Sequence, residues 1–185
     1  MVPSLLVLGG ARSGKSRFAV ASQTSQARVA FVATAEARDE SMALRIARHR
    51  TERPPAWMTV EEPLDLVGRL RDLRGAVDAV IVDCLTIWAA NRLLRGDPDP
   101  AILASVDALV ALMAQRPFAL TVVSNEVGLG VHPETPAGLR FRDLLGLTNQ
   151  RVAAASDRVV LMVAGIPLDV KAPLHGSPIS TLQTG

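Results

Sequence analysis

The sequence predicts an α/β fold in one domain, with a mostly parallel β-sheet that carries helices on both faces. Nearly continuous apolar runs are typical of parallel strands buried on both faces, and the chain contains five of them, at residues 5–8, 29–33, 79–82, 120–124 and 159–163. Segments with helical periodicity lie between these runs, and such alternation indicates a parallel sheet. The length of 185 residues suits one domain with a substantial core.

The helix predictions rest on spacing and on one capping signal. Asp99 followed by Pro100 predicts a helix that has Asp99 as N-cap and Pro100 at its first position. Apolar residues then recur at helical intervals in three stripes: Ile102, Val106, Leu109, Val110 and Met113; Leu64, Val67, Leu70 and Leu73; and Phe141, Leu144, Leu145, Thr148 and Val152. We expect a catalytic domain over residues 1–172, followed by a loose tail at 173–185 that is rich in Pro, Gly, Ser and Thr.

Composition argues against several classes of protein. Lys and Arg number 20 against 18 Asp and Glu, and the arginines are scattered, so no basic face for nucleic acid is expected. No apolar run approaches the roughly 18 to 20 residues of a membrane span. The first residues lack the basic region of a signal peptide. A single cysteine, Cys84, excludes an internal disulfide and suits a reducing compartment, so we expect a cytoplasmic protein.

A complete phosphate-loop motif follows the first predicted strand. The pattern G-x-x-x-x-G-K-[ST] is matched by Gly9, Gly10, Ala11, Arg12, Ser13, Gly14, Lys15 and Ser16. Glycines allow such a loop to curl until its N–H groups converge on phosphate oxygens. Lys15 is expected to reach the outer phosphates, and Ser16 is expected to bind Mg²⁺. The loop lies between a predicted strand and a predicted helix, which is the context that the motif requires.

A carboxylate at the end of another predicted strand complements this loop. Residues 80–82 are aliphatic and Asp83 follows them. In P-loop proteins an aspartate at this place holds Mg²⁺ beside the phosphates. The predicted fold class is therefore that of the P-loop NTPases, of the RecA-like kind, acting on ATP or GTP with Mg²⁺. These residues do not identify the acceptor.

His49 lies in an arginine-rich segment that is predicted to be helical. Over residues 39–50, Met42, Ile46 and His49 share one face. Positive charge disfavours imidazolium, so the neighbouring arginines would keep His49 neutral, and a neutral imidazole can attack phosphorus. A half-buried structural histidine is the alternative, and periodicity alone favours it.

Two further polar groups are candidates for lining the site. Residues 124–130, Ser-Asn-Glu-Val-Gly-Leu-Gly, follow a predicted strand and form either part of the ligand crevice or an ordinary glycine-rich turn. Arg142 and Asn149 share one helical stripe, with solvated Arg and capping Asn as the alternative. His132 and His175 have no partner at metal-binding spacing, so no zinc site is predicted.

These motifs together resemble the bifunctional adenosylcobinamide kinase and adenosylcobinamide-phosphate guanylyltransferase family of cobalamin biosynthesis. The resemblance covers the chain from about Leu5 to Lys171 and depends most on the segments RIARHR and SNEVGLG. Further segments in family order are GGARSGKSR, VATA, VDCLTIW, FRDLLGLTNQRVAAASD and VAGIPLDVK, with Trp57, Glu61 and Glu62 between them.

The resemblance implies two reactions at one protein. Adenosylcobinamide is phosphorylated with ATP or GTP, and GMP from GTP is then transferred to that phosphate through a guanylylated histidine, which falls on His49. It also implies nucleotide contacts from residues 9–16 and a homotrimer. The remaining implied contacts are Thr34, Ala35, Glu36, Arg50, Thr51, Glu52, Arg53, Glu61 and Asp83.

Other functions remain possible on the sequence. A P-loop small-molecule kinase without guanylyl transfer would need no reactive histidine. A non-catalytic GTP-binding module would call for a guanine-specifying N/T-K-x-D motif, which is absent from the sequence. A recombinase-type ATPase would call for a basic DNA-binding stripe, which is also absent.

Overall fold

The computed structural model of the chain describes residues 3–23, 28–36 and 54–172. In these ranges the strands are β1 Ser4–Gly9, β2 Val29–Ala33, β3 Met58–Glu61, β4 Ala79–Asp83, β5 Ala119–Val123, β6 Arg158–Val163 and β7 Ile166–Lys171. The helices are α1 Lys15–Ala21, α2 Leu66–Asp72, α3 Leu85–Leu94, α4 Asp99–Gln115 and α5 Pro136–Ala155. The predicted helix at residues 39–50 and the predicted tail at 173–185 lie outside the described residues.

All seven strands belong to one sheet in the order β3-β2-β4-β5-β1-β6-β7. Every neighbouring pair is parallel except β6 and β7, which form an antiparallel hairpin. The prediction of a mostly parallel sheet is therefore confirmed. Because β5 separates β1 from β4, the carboxyl ends of these three strands lie side by side at one edge, where α/β proteins bind ligands.

The five predicted strands are present, with ends that differ from the prediction by at most one residue. Strands β3 and β7 were not predicted because they occupy the two edges of the sheet and lack buried apolar runs. All residues of β7 are exposed, and Pro167 within it is tolerated because an edge strand need not donate every ladder hydrogen bond.

The helices cover the sheet as the apolar stripes predict. A large buried cluster on one face receives side chains from α2, α3, α4 and α5, whereas α1 packs on the other face through Ala19. Leu70, Leu109 and Leu145 are each at most 1% exposed. Leu64 lies before the start of α2, and Phe141 and Val110 are only half-buried. The buried part of each apolar stripe therefore contains one residue fewer than the predicted stripe.

One helix start differs by a residue from the prediction. Pro98 is the N-cap of α4 and Asp99 is its first residue, with Pro100 next. A shift of one residue is within the usual uncertainty of helix boundaries. Helix α5 begins with a true side-chain cap, since Thr135 Oγ1 accepts a hydrogen bond of 3.1 Å from the Gly138 amide. Across the described ranges, no helix has the length and apolar character to cross a membrane.

Candidate active site

The phosphate-loop motif forms the connection between β1 and α1. Gly9 ends β1 with φ 149°, and a Cβ there would lie 2.6 Å from both Met162 O and Ser13 Oγ. Gly14 is the N-cap of α1 in the left-handed region, with φ 94°. The motif therefore has glycine at two places where the backbone conformation requires it. Gly10, Ala11 and Arg12 complete the exposed turn of the loop.

The interior of the loop contains polar groups that suit an anion. Ser13 is 8% exposed, and its buried hydroxyl has no hydrogen-bond partner in the part of the chain that the structure describes. Lys15 is also 8% exposed, and its ammonium donates to Gly10 O at 2.5 Å. An unpaired buried donor and a buried cation are costly unless something complements them. Phosphate oxygens would complement both groups.

Burial lowers the pKa of Lys15 below its ordinary value, while the nearby Cys84 and Asp83 act in the opposite direction. The loss of hydration disfavours the charged ammonium, and negative charge close by favours it. The predicted phosphate-binding lysine and the predicted metal-binding aspartate therefore lie within electrostatic range of each other. A bound polyphosphate would add negative charge and raise the pKa of Lys15 again.

Asp83 and Ser16 have side-chain oxygens of the hard type that Mg²⁺ prefers. Asp83 ends β4 and is half-buried, and Ser16, also half-buried, is the second residue of α1. Among the residues that the structure describes, no three His, Cys, Asp or Glu side chains cluster to hold a metal. Mg²⁺ commonly takes one or two protein oxygens and completes its shell with waters and substrate phosphates. The donor set therefore fits Mg²⁺ that arrives with a nucleotide.

A buried hydrogen-bond network fixes the ends of β2 and β4 to each other. The Thr34 hydroxyl donates to Cys84 O at 2.8 Å and accepts from the Cys84 amide at 2.9 Å. Asn91 of α3 donates to Thr34 O at 2.8 Å. Thr34 is fully buried, so its hydroxyl serves this network. The peptide bond between Asp83 and Cys84 is cis.

The segment after β5 is tied to the phosphate loop and to two helices. The Glu126 amide donates to Gly9 O at 3.1 Å. The Asn125 amide donates to Thr86 Oγ1 of α3 at 2.7 Å, and Asn149 Nδ2 of α5 donates to Asn125 O at 3.0 Å. The start of the segment therefore lies beside the phosphate loop, and the ligand-lining role of residues 124–130 stays a prediction.

The remaining predicted site residues fall into two groups. Ala35 and Glu36 follow β2 and are half-buried, and Glu61 ends β3 level with Ala33, so these residues lie at the same edge of the sheet. The other predicted residues are outside the described ranges; they are His49, Arg50, Thr51, Glu52 and Arg53. Their roles stay predictions.

The side chain of Arg142 contacts His132 and Asp143 and makes no hydrogen bond to the phosphate loop among the described residues. Its guanidinium lies 3.0 Å from His132 Nδ1 and donates to Asp143 Oδ1 at 2.9 to 3.0 Å. Its helical neighbour Asn149, by contrast, reaches the segment after β5.

Sequence reasoning did not identify the supporting residues Thr86 and Asn91. Both are polar, they are 7% and 4% exposed, and the other buried residues of helix α3 are apolar. Buried polar side chains are almost always hydrogen-bonded. The available signal was therefore a threonine and an asparagine on the buried side of the helix that directly follows Asp83.

Solved structures with the same architecture are P-loop ATPases and their relatives. A KaiC-like protein from Pyrococcus horikoshii matches with a TM-score of 0.50 at 14% identity, covering 86% of this chain and 70% of that chain. An ATPase from the type III secretion system of pathogenic bacteria matches with a TM-score of 0.55 at 13% identity, covering 88% of this chain and 51% of that chain. At such low identity the likeness shows the fold alone, and it confirms the predicted P-loop NTPase class.

Sequence comparison is more specific. The bifunctional adenosylcobalamin biosynthesis protein CobP of Pseudomonas aeruginosa is 43% identical over 176 residues, which cover 94% of this chain and 98% of that protein. The bifunctional adenosylcobalamin biosynthesis protein CobU of Escherichia coli is 38% identical over 179 residues, which cover 90% of this chain and 99% of that protein. The model of the family described as cobinamide kinase / cobinamide phosphate guanyltransferase matches residues 5–170. The chain therefore belongs to this family of bifunctional enzymes of adenosylcobalamin biosynthesis.

Proposed function

We propose that this enzyme first phosphorylates the aminopropanol hydroxyl of adenosylcobinamide with ATP or GTP. It then transfers GMP from GTP to the new phosphate, giving adenosylcobinamide-GDP and pyrophosphate. The observation that carries the proposal is the family match over residues 5–170, which includes a fully formed phosphate loop. Both reactions displace a group at phosphorus, so binding, orientation and neutralisation of charge supply most of the catalysis.

The phosphate loop is the proposed site for the triphosphate of the nucleotide. Its backbone amides, the Ser13 hydroxyl and the Lys15 ammonium would bind the phosphate oxygens. Partial desolvation supports this role for Lys15, because an ammonium with little water around it gains most from a phosphate partner. Thr34, Ala35, Glu36 and Glu61 are proposed to border the nucleotide from β2 and β3, with Thr34 acting through the backbone that it fixes.

Ser16 and Asp83 would hold Mg²⁺ against the phosphates. When bound, the ion neutralises phosphate charge and assists departure of the leaving group. The half-buried carboxylate of Asp83 lies close enough to Lys15 to act on its pKa, so both groups are available to the same set of phosphates.

His49 is the proposed nucleophile of guanylyl transfer. Its neutral imidazole attacks the α-phosphorus of GTP, and pyrophosphate leaves as the N–P bond forms. A phosphate oxygen of adenosylcobinamide phosphate then attacks the same phosphorus and releases His49. The support is the match of the segment RIARHR to the family, with Arg50, Thr51, Glu52 and Arg53 proposed to bind the nucleotide alongside.

We further propose a cytoplasmic homotrimer that binds no nucleic acid. The lack of a basic stripe in the sequence supports the absence of nucleic acid. For the trimer, β7 offers an apolar row in Ile166, Leu168 and Val170, which are 69%, 56% and 62% exposed. Light scattering should give three times the chain mass, and a monomer at working concentration would contradict the trimer.

Covalent labelling tests the histidine and the second reaction. The protein is incubated with Mg²⁺ and GTP labelled at the α-phosphate, without corrinoid, and then denatured. We expect a bound label that is labile in acid, stable in base and absent from His49→Ala. His132→Ala is the matched control, because His132 is exposed and contacts Arg142 rather than the phosphate loop.

The same experiment separates this function from its alternatives. Label that persists in His49→Ala would place the nucleophile elsewhere. A protein that binds GTP and phosphorylates adenosylcobinamide but never takes up label would be a kinase alone. Binding without either reaction would leave a GTP-binding module. Lys15→Ala should abolish turnover in both reactions, and unchanged kinase activity would contradict the assignment of the phosphate loop.

A further inference from the structure

Asn125 occupies a position between the phosphate loop and the strand that carries Asp83. In the sheet, Val123 of β5 is paired with Val7 of β1 on one side and with Asp83 of β4 on the other. Asn125 lies two residues beyond Val123 in the direction of the ligand crevice, at the level of Gly9. The next amide, that of Glu126, donates to Gly9 O at 3.1 Å, which ties the segment directly to the start of the loop.

Buried side chains hold the Asn125 backbone from two sides. Thr86 Oγ1 accepts from its amide at 2.7 Å, and Asn149 Nδ2 donates to its carbonyl at 3.0 Å. Thr86 and Asn149 are 7% and 6% exposed. Asn149 is held in this place although its own buried Oδ1 has no hydrogen-bond partner among the described residues, which costs stability. Buried polar side chains from two helices, α3 and α5, therefore hydrogen-bond to the backbone of one residue, Asn125.

The Asn125 side chain itself is not used by this framework. Across the described part of the chain, no hydrogen bond of its carboxamide is found, and the residue is half-buried at the crevice. A carboxamide carries two N–H donors without charge, so it can approach phosphate oxygens beside Asp83 without adding repulsion. A backbone fixed on both sides also reduces the entropy lost when the side chain binds.

We propose that Asn125 donates a hydrogen bond to the terminal phosphate of the bound nucleoside triphosphate, and that Thr86 and Asn149 position it. Asn125 thus contacts the phosphoryl group that is transferred in the kinase reaction, while the two helix residues act only through its backbone. This inference rests on the proposed function for nucleotide binding at the loop, and adds a contact that distinguishes triphosphate from diphosphate.

Affinities for GTP and GDP in the presence of Mg²⁺, measured by calorimetry without corrinoid, test the contact. Asn125→Ala should weaken GTP about 10-fold or more, the usual loss for a hydrogen bond to a charged group, and leave GDP within about twofold. Asn125→Asp should weaken GTP further, because the isosteric carboxylate cannot donate and repels phosphate. If Asn125 only fills space, Asn125→Leu, which keeps a similar size without a donor, would bind GTP like the wild type and the proposal would be wrong.

The positioning role has its own variants. Asn149→Leu and Thr86→Val remove the two backbone contacts with little change in size, and each should lower the preference for GTP over GDP. Neither should lower it further in an Asn125→Ala background, because all three changes act on one contact. Gln150→Ala, on the exposed side of α5, is the matched control and should change nothing. Additive losses would show that Asn149 and Thr86 act independently of Asn125.

The outcomes separate this inference from the proposed function. An unchanged preference in Asn125→Ala, with normal GTP binding, overturns the contact and leaves the two reactions untouched. A lost preference in a protein that is never guanylylated supports the contact and overturns only the transfer through His49. A wild-type protein that binds neither nucleotide overturns both.

Discussion

Gly9→Ala should destabilise the protein far more than Gly10→Ala, although the two glycines are adjacent in the same loop. Gly9 has φ 149°, and an added Cβ would lie 2.6 Å from Met162 O, a backbone atom of the neighbouring strand β6. A Cβ on Gly10 would meet nothing within 4 Å, and its φ is outside the strained range. The second variant is therefore a matched control for the first.

The magnitude follows from these two sources of strain. A non-glycine residue in a sparsely populated backbone region costs about 1–3 kcal/mol, and displacement of the β6 backbone adds to it, so we expect about 2–4 kcal/mol for Gly9→Ala. In a chain of this size each kcal/mol lowers Tm by about 2–4 °C, which gives a decrease of about 4–16 °C. Gly10→Ala should stay within about 0.5 kcal/mol of the wild type.

Urea unfolding followed by circular dichroism gives the free energy of unfolding, and calorimetry gives Tm. Both are measured without nucleotide, so that altered ligand binding does not contribute. If Gly9→Ala were as stable as Gly10→Ala, the described approach of Gly9 to β6 would be wrong, and with it the geometry of the loop.

Two further predictions concern titratable groups. Hydrogen bonds from Arg116, and then from Ser4, hold the pKa of Asp157 well below its ordinary value. A lowered pKa stabilises the fold above the unfolded value, near pH 4, and the contribution is lost as pH falls from there towards the folded pKa. The urea midpoint of Asp157→Asn should therefore lie below that of the wild type at pH 7, and the gap should narrow steadily as pH falls below about 4. A gap as large at pH 2 as at pH 7 would contradict the ion pair. Burial, together with the Asp83 charge, raises the pKa of the Cys84 thiol from 9.0 to about 11. Because the thiolate is the reactive form, iodoacetamide at pH 8 should modify Cys84 at least ~100-fold more slowly in the folded protein than in the urea-unfolded chain. Equal rates would refute the buried position of Cys84.

The parts of the fold that sequence patterns predict are those that depend on local signals. Strand β2 has the predicted bounds because all of its residues are buried, which requires an unbroken apolar run. The edge strands β3 and β7 were missed because the prediction relied on continuous apolar runs. These strands instead have an apolar residue at every second position, as in Ile166, Leu168 and Val170 of β7, and they are largely exposed. Their pairing with β2 and β6 is a property of the assembled sheet.

The candidate site also has a part that local motifs predict and a part that they do not. The phosphate loop and Asp83 are readable because their motifs lie within a few consecutive residues. The framework around Asn125 is not readable, since Thr86 and Asn149 are 39 and 24 residues away from it and meet it only after α3 and α5 pack on the sheet. Their polarity is visible in the sequence, but their partners are determined by tertiary structure.

Helix α3 connects the two buried polar networks of the site. Asn91 is hydrogen-bonded to Thr34 just after the end of β2, and Thr34 is in turn hydrogen-bonded to Cys84 just after the end of β4. Thr86 is hydrogen-bonded to Asn125 after the end of β5. One rigid helix thus fixes the carboxyl ends of three strands relative to each other. Satisfied hydrogen bonds in a low-dielectric interior resist rearrangement. Groups that are oriented before the reaction need no reorganisation as charge shifts between phosphate oxygens. We therefore expect the polar residues of α3 to assist phosphoryl transfer without touching substrate, by keeping the predicted metal-binding carboxylate and Asn125 in place relative to each other.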